Sequence, residues 1–313
     1  MGQKRKQTED DVPHSYPAVL VDGTPSPPFI TQEAFNNACE RYEAQETDIF
    51  VCTYPKCGTT WLQQILQLVL NKNDPKDDKQ CSDAIPWLEA SFGPKLGPGG
   101  RHDPEKLLTS APYGLRAYKT HASYSQLQRL FLKGAELGRR PRTVYVARNP
   151  KDCAVSLYHH ARSKTEWSYT GDWKHFVEEL FFTGKVESGS WFEHTSEFWK
   201  RSQNPEEKIL FLKYEDLLVA PENEVRKLLT FLGLELDDEQ VTQVVTSSSF
   251  AAMKQSYKEP PANEGETPHI RQGTSGGWRS YFTVEQNEVL EFMYEKYIQR
   301  HGLVFDFGKG DVH

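Results

Sequence analysis

Lys56, Gly58, Thr59 and Thr60 crowd one short run, Tyr54-Pro55-Lys56-Cys57-Gly58-Thr59-Thr60-Trp61. A cation, a glycine and two hydroxyls in one turn are the parts of a phosphate site: glycine lets the main chain approach an anion, and the side chains add charge and donors. The flanking elements supply the rest. Asp48-Ile49-Phe50-Val51-Cys52-Thr53 reads as a buried strand, and residues 61–70 carry apolar side chains at helical spacing. A strand entering a helix through such a turn offers the anion unpaired backbone N–H groups and a positive dipole end. The lysine precedes the glycine, and no Walker A run (glycine, four residues, then Gly-Lys-Ser/Thr) occurs, which disfavours most nucleoside-triphosphate enzymes of that kind. By itself the turn also reads as a Pro-started helix cap in a purely structural strand-turn-helix.

Further segments carry donors of the same kind. Residues 115–121 form a short strand pattern ending in Lys119-Thr120-His121; of the ten histidines, His121 alone has this setting, although a histidine met by chance is more often structural. Tyr145-Val146-Ala147-Arg148-Asn149-Pro150-Lys151-Asp152-Cys153-Ala154-Val155-Ser156 places an arginine fork at a strand end and Ser156 two helical turns beyond. Its alternative for Arg148 is an ion pair with Asp152. Tyr214-Glu215-Asp216 follows an apolar strand at 208–213, where a tyrosine is also plain core. Thr246-Ser247-Ser248-Ser249-Phe250 and Ile270-Arg271-Gln272-Gly273-Thr274-Ser275-Gly276-Gly277-Trp278-Arg279 complete the set; the latter alone reads as a mobile surface loop.

Together, in this order, these segments resemble the cytosolic sulfotransferases, and the resemblance spans roughly residues 45–308. It includes Gly189-Ser190-Trp191-Phe192-Glu193-His194 as well, and on it the chain is identified as a member of that family. The resemblance implies 3′-phosphoadenosine 5′-phosphosulfate (PAPS) as donor, 3′-phosphoadenosine 5′-phosphate (PAP) as product, and no metal. It implies that His121 takes the proton of an acceptor hydroxyl or amine, a role suited to a neutral imidazole at cellular pH. Lys56 stands by the leaving 5′-phosphate and Lys119 by the sulfuryl oxygens, in an in-line displacement governed by positioning and electrostatics. Lys56, Cys57, Gly58, Thr59, Thr60 and Trp61 line the phosphosulfate and adenine. Arg148, Ser156, Arg271, Gln272 and Gly273 hold the 3′-phosphate, and Tyr214, Ser248 and Phe250 the adenosine. Departures are Cys57 for a common serine, Gln272 for a cation, and Ser248 for threonine. A thiol beside Lys56 and a helix N-terminus is expected to have a lowered pKa.

For the acceptor, Ile85-Pro86-Trp87-Leu88-Glu89 is similar to the family segment that sets an aromatic in the pocket. Trp87, Phe29, Tyr158 and His160 are therefore wall candidates, each of which also reads as packing. His160 stands where phenol-sulfating relatives carry an apolar aromatic and points to a more polar acceptor. Arg279-Ser280-Tyr281-Phe282-Thr283-Val284-Glu285-Gln286-Asn287-Glu288 resembles the family's dimer motif, so a homodimer is expected alongside a monomer.

Bulk properties agree. The 313 residues carry a net charge of −7, against broad nucleic-acid or polybasic membrane binding. No apolar stretch nears the roughly 20 residues of a membrane span. Five scattered cysteines without a C-x-x-C pair suit a reducing compartment. The charged start lacks a signal core, and a cytoplasmic protein with a small-molecule acceptor is expected. Residues 1–15 read as a flexible tail, and 16–313 as a single P-loop-like α/β domain, its central mostly parallel sheet flanked by helices on both faces. Helices are expected at 31–42, 150–163, 190–203, 221–232 and 284–300, with strands at 142–147 and 208–213 and long loops at 73–114 and 254–280. Two other classes compete: a non-catalytic nucleotide binder, which has no need of His121, and a phosphotransferase, against which the missing Walker residues stand.

Overall fold

The computed structural model describes residues 16–308 except 73, 75, 76, 78, 94–102, 112, 164–166 and 257–272. Its centre is a run of four parallel strands. β3 (Ile49–Thr53) pairs with β4 (Ala117–Thr120) on one side and β5 (Arg142–Ala147) on the other, and β6 (Ile209–Lys213) lies outside β5. An antiparallel hairpin, β1 (Val19–Val21) and β2 (Thr24–Ser26), precedes them and stands apart from this sheet.

Alternation along the strands feeds two cores. Phe50, Cys52, Tyr145, Ala147, Ile209 and Phe211 point to one face, and Ile49, Val51, Val144, Val146, Leu210 and Leu212 to the other. Both faces are covered, so β3 and β5 read as unbroken apolar runs rather than alternating ones. Helices Thr59–Leu70, Pro221–Leu232 and Asp238–Ser247 close the second face; Gln32–Arg41, Tyr124–Glu136, Pro150–Ser163 and Trp191–Ser202 close the first. The expected α/β architecture is the observed one.

Helix starts follow the sequence. Thr31 caps Gln32–Arg41 by accepting from the Ala34 N–H, and Asn149 Oδ1 accepts from the Asp152 N–H at 2.9 Å ahead of Pro150–Ser163. The stretch 73–114, expected as loop, instead contains short helices at Cys81–Ala84 and Pro104–Thr109 and a 3-10 turn at Glu89–Phe92. Each spans two turns or fewer, too short to show a helical period. Tyr124–Glu136, started by a Ser123–Gln126 capping box, is a full helix the pattern reading passed over.

Parallel pairing has one consequence for function. Registers Cys52↔Thr120, Thr53↔Val146 and Ala147↔Lys213 bring all four strand C-termini to one edge. The residues that follow them, Tyr54, His121, Arg148 and Tyr214, therefore emerge side by side, where open α/β sheets bind ligands.

Candidate active site at the strand ends

The turn after β3 is held in a left-handed conformation at two positions, with φ of 68° at Lys56 and 105° at Gly58. A Cβ on Gly58 would lie 2.8 Å from Tyr214 Cδ2, so only glycine fits between the turn and that ring. Helix Thr59–Leu70 starts at Gly58 with no side-chain cap and no acidic residue in its first turn. Its positive end is thus left for an external anion. Beneath the turn, Thr59 Oγ1 lies 2.6 Å from Thr53 Oγ1, and the buried Tyr54 hydroxyl donates to the Gly189 carbonyl at 3.0 Å. Thr60 is half-buried on the same first turn.

Next to it stands His121, one residue beyond β4. Its Nδ1 lies 2.8 Å from the Thr53 carbonyl oxygen, which can only accept, so Nδ1 carries the proton. Nε2 is then the lone-pair nitrogen, and among the described residues it takes no hydrogen bond. Burial holds the imidazole well below its usual pKa, with help from the Lys119 and Lys56 charges. His121 is a neutral ring with its basic nitrogen set by a main-chain carbonyl.

Lys119 lies 4.3 Å from the centre of the Trp87 ring, a cation–π contact. Burial pushes its ammonium down to about 8, against the opposing pull of Glu89. Trp87 meets His121 edge-on at 4.8 Å and Phe29 at 5.5 Å. Phe29, Trp87, Lys119 and His121 therefore form one continuous wall. Lys56 faces the same region, since its charge acts on His121 and on Glu187.

The second candidate anion site lies across Tyr214. Arg148 stacks over that ring at 4.6 Å and donates from Nη2 to the Thr274 carbonyl at 2.9 Å. Its Nε is buried and finds no partner among the described residues. Trp61 meets the other edge of Tyr214 at 5.3 Å. Gly273 has φ of 65°, and a Cβ there would strike Phe250 Cδ2 at 2.2 Å, so these two candidates are in contact. Ser248 is buried, with its hydroxyl turned to the Val245 carbonyl at 3.3 Å. Ser156 is half-buried on the helix after Arg148. Arg271 and Gln272 lie outside the described residues.

Several residues that build the site had no such role assigned from the sequence. Asp152 accepts from the Gly276 N–H (2.7 Å), the Ser275 hydroxyl (3.0 Å) and the Trp278 N–H (3.1 Å), and so pins the Gly-rich loop beside Arg148. This is the partnership it makes in place of an ion pair with Arg148. Glu215 accepts from both nitrogens of Asn149 at 2.9 Å, and burial pushes its carboxyl up to about 7. His194 donates from Nε2 to the Ala122 carbonyl at 3.1 Å and accepts the Tyr145 hydroxyl at 2.9 Å. Burial lowers it to about 4, so it stays neutral and positions the segment that carries His121. The Ser188 hydroxyl donates to the His121 carbonyl at 3.0 Å. None of these has a local pattern; each acts through a contact distant in sequence.

Two candidates have different surroundings from the rest. Tyr158 packs among Tyr169, Trp173 and Phe176, and Arg162 Nη1 donates to its hydroxyl at 2.9 Å. That places it in the aromatic core rather than on the Phe29–Trp87 wall. Cys57 is fully buried, its thiol 3.6 Å from Cys153 Sγ, whose own thiol burial pushes well up. The Cys57 side chain points inward from the turn, away from solvent.

Among the described residues no three His, Cys, Asp or Glu side chains gather as a metal site, and no helix is long and apolar enough to cross a membrane. The profile of the family described as "Sulfotransferase domain" matches residues 46–302. The chain is 35% identical to Sulfotransferase 1B1 of Canis lupus familiaris over 266 residues, 82% of this chain and 85% of the relative. Among solved structures, mouse sulfotransferase SULT7A1 complexed with PAP superposes with a TM-score of 0.70 at 25% identity, covering 90% of this chain and 95% of its own. Retinol dehydratase in complex with androsterone and inactive cofactor PAP gives 0.75 at 25% identity, covering 94% and 92%.

Proposed function

The chain belongs to the sulfotransferase family, and on that premise we propose that it moves a sulfuryl group from PAPS to a hydroxyl or amine of a small acceptor, with His121 as general base. The observation that carries this reading is the His121 ring: protonated at Nδ1 on the Thr53 carbonyl and unprotonated at Nε2, beside an anion turn and two lysines. The fit to the donor rests on three features of this chain. The helix start at Gly58 is uncapped, the Gly58 cradle excludes a Cβ, and Arg148 Nε is buried without a partner among the described residues. When bound, PAPS supplies the sulfuryl group and a phosphate leaving group.

The residues then divide the work. His121 Nε2 takes the acceptor proton as the nucleophile forms. Lys56 and the first-turn N–H groups neutralise charge at the leaving phosphate, and Lys119 does so at the sulfuryl oxygens. Arg148, Ser156 and Arg271 clamp the 3′-phosphate, with Gly273 letting the main chain approach. Trp61, Tyr214 and Phe250 take the adenine side. Phe29, Trp87 and His160 border the acceptor. A homodimer through residues 279–288 is part of this reading. Val284, Val289 and Phe292 stand exposed on the helix Val284–Tyr297, and light scattering of a Val284→Glu variant tests it.

Donor-dependent transfer of labelled sulfate to a panel of phenols, alcohols and amines tests the reaction. His121→Ala is expected to lose transfer while PAP still binds by calorimetry. Transfer at the parental rate in that variant would remove the base assignment.

A further inference from the structure

Glu187 is a carboxyl deep in the active-site region that the reaction as described leaves unused. It sits in the turn between the π-helical segment Phe176–Phe181 and the helix Trp191–Ser202. That turn is clamped at three points, one to the β1–β2 hairpin and two to the residues of the candidate site. The Ser188 N–H donates to the Pro25 carbonyl at 2.7 Å, its hydroxyl donates to the His121 carbonyl at 3.0 Å, and the Gly189 carbonyl accepts the Tyr54 hydroxyl at 3.0 Å. Ser188 and Gly189 take φ of 64° and 73°, a reversal tight enough to fix Glu187 between the clamps.

Only 3% of Glu187 is exposed, and its one recorded side-chain partner among the described residues is His160. The nearest recorded nitrogen is His160 Nε2, at 4.0 Å from Oε1. The two cations that act on it are Lys56 and Lys119, and burial against their pull pushes the carboxyl up to about 8. A carboxylate has about four lone-pair sites, so a single partner at 4.0 Å leaves acceptor capacity that a ligand donor can fill.

We propose that Glu187, backed by His160, binds a second hydroxyl of the acceptor, which makes this enzyme selective for diols over acceptors with a single hydroxyl. This rests on the sulfotransferase reading above. Charge count favours a neutral hydroxyl over an ammonium, because Lys56 and Lys119 already face the carboxyl and a third cation meets their repulsion. A hydroxyl also suits either protonation state of the carboxyl, as it both donates and accepts. His160 adds a ring nitrogen at the same place, where a phenylalanine would offer none.

The test uses the full chain with PAPS and three acceptors of matched length: a phenol with an alkyl tail, one whose tail ends in a hydroxyl, and one whose tail ends in an amine. The parent is expected to favour the diol over the alkyl phenol in kcat/KM by about tenfold, the worth of one hydrogen bond. Glu187→Leu is expected to bring that ratio near one, with the change in KM for the diol rather than in kcat; Glu187→Gln, which still bonds, keeps part of it. His160→Phe, at a half-buried position, lowers the ratio independently should Glu187→Leu fold poorly. A parental ratio near one, or a ratio unmoved in both Glu187→Leu and His160→Phe, overturns the proposal. Preference for the amine that vanishes in Glu187→Leu overturns it in favour of cation recognition. Absence of transfer to all three acceptors would instead strike the sulfotransferase reading, and this proposal with it.

Discussion

On the proposed reading, the donor end and the acceptor end of this cleft are built differently. The donor end consists of short contiguous segments whose main chain does the work: Gly58 against Tyr214, Gly273 against Phe250, and Asp152 holding the N–H groups of Gly276 and Trp278. The acceptor end is assembled from side chains far apart in sequence. Phe29, Trp87, Lys119, His121, His160 and Glu187 meet through ring edges and through the fields of buried charges. A site built of backbone has little room for change. A site built of side chains can be retuned one residue at a time.

If that contrast holds, variants at the two ends fail in different ways. The largest effect belongs to the point where they meet: His121→Ala should cut kcat by about 10² to 10⁴, the usual worth of a positioned base, with PAP affinity intact. Gly58→Ala comes next. It forces a side chain into a left-handed turn and against Tyr214, and PAP affinity by calorimetry should fall about tenfold or more, from a strain of roughly 1–2 kcal/mol. Unchanged affinity would show that the turn yields, and the contrast would weaken.

Asp152→Asn should act at the donor end without touching the donor. Loss of the charge behind its three hydrogen bonds to the Gly-rich loop is expected to raise the KM for PAPS by roughly 3- to 10-fold while the KM for acceptor holds. An equal rise in both would argue that the Gly-rich loop serves the two ends alike. The smallest effect is expected of Cys57→Ser, within about twofold in kcat/KM, because a buried thiol is replaced by a group of similar size. A large loss there would reopen a chemical role for the thiol.

The pH profile probes the acceptor end by itself. His121 must be neutral, and its pKa lies below the ordinary value of 6.5, so activity should persist as pH falls through 6.5. Lys119 must be charged, and with its pKa at about 8 activity should decline as pH rises past that value. Replacement of Lys119 by methionine should remove the alkaline limb and leave the acid one. An acid limb at or above 6.5 in the parent would contradict the burial of the base.

How much of this was legible follows the same division. The 54–61 turn, the 148–156 segment and Tyr214 could be read directly, because strand, turn and helix start are neighbours in sequence. The helix at Pro150–Ser163 and the parallel α/β sheet followed from apolar runs and helical periods. The roles of Glu187, His194, Asp152 and Ser188 could not be read. Each is an ordinary polar residue in an ordinary pattern until the fold sets it against a partner far away in the chain. Tyr158 shows the converse, a residue beside Ser156 and His160 in sequence whose ring packs among Tyr169, Trp173 and Phe176.

The sequence by itself determined the anion turns, since glycine tolerance, charge and helix polarity are local properties. Only the tertiary structure decided which nitrogen of His121 is basic, that Cys57 points inward, and that Glu187 lies within 4.0 Å of His160 and in the field of two lysines. Those outcomes depend on burial and on contacts across the sheet, and parallel register, not sequence proximity, sets which residues share an edge.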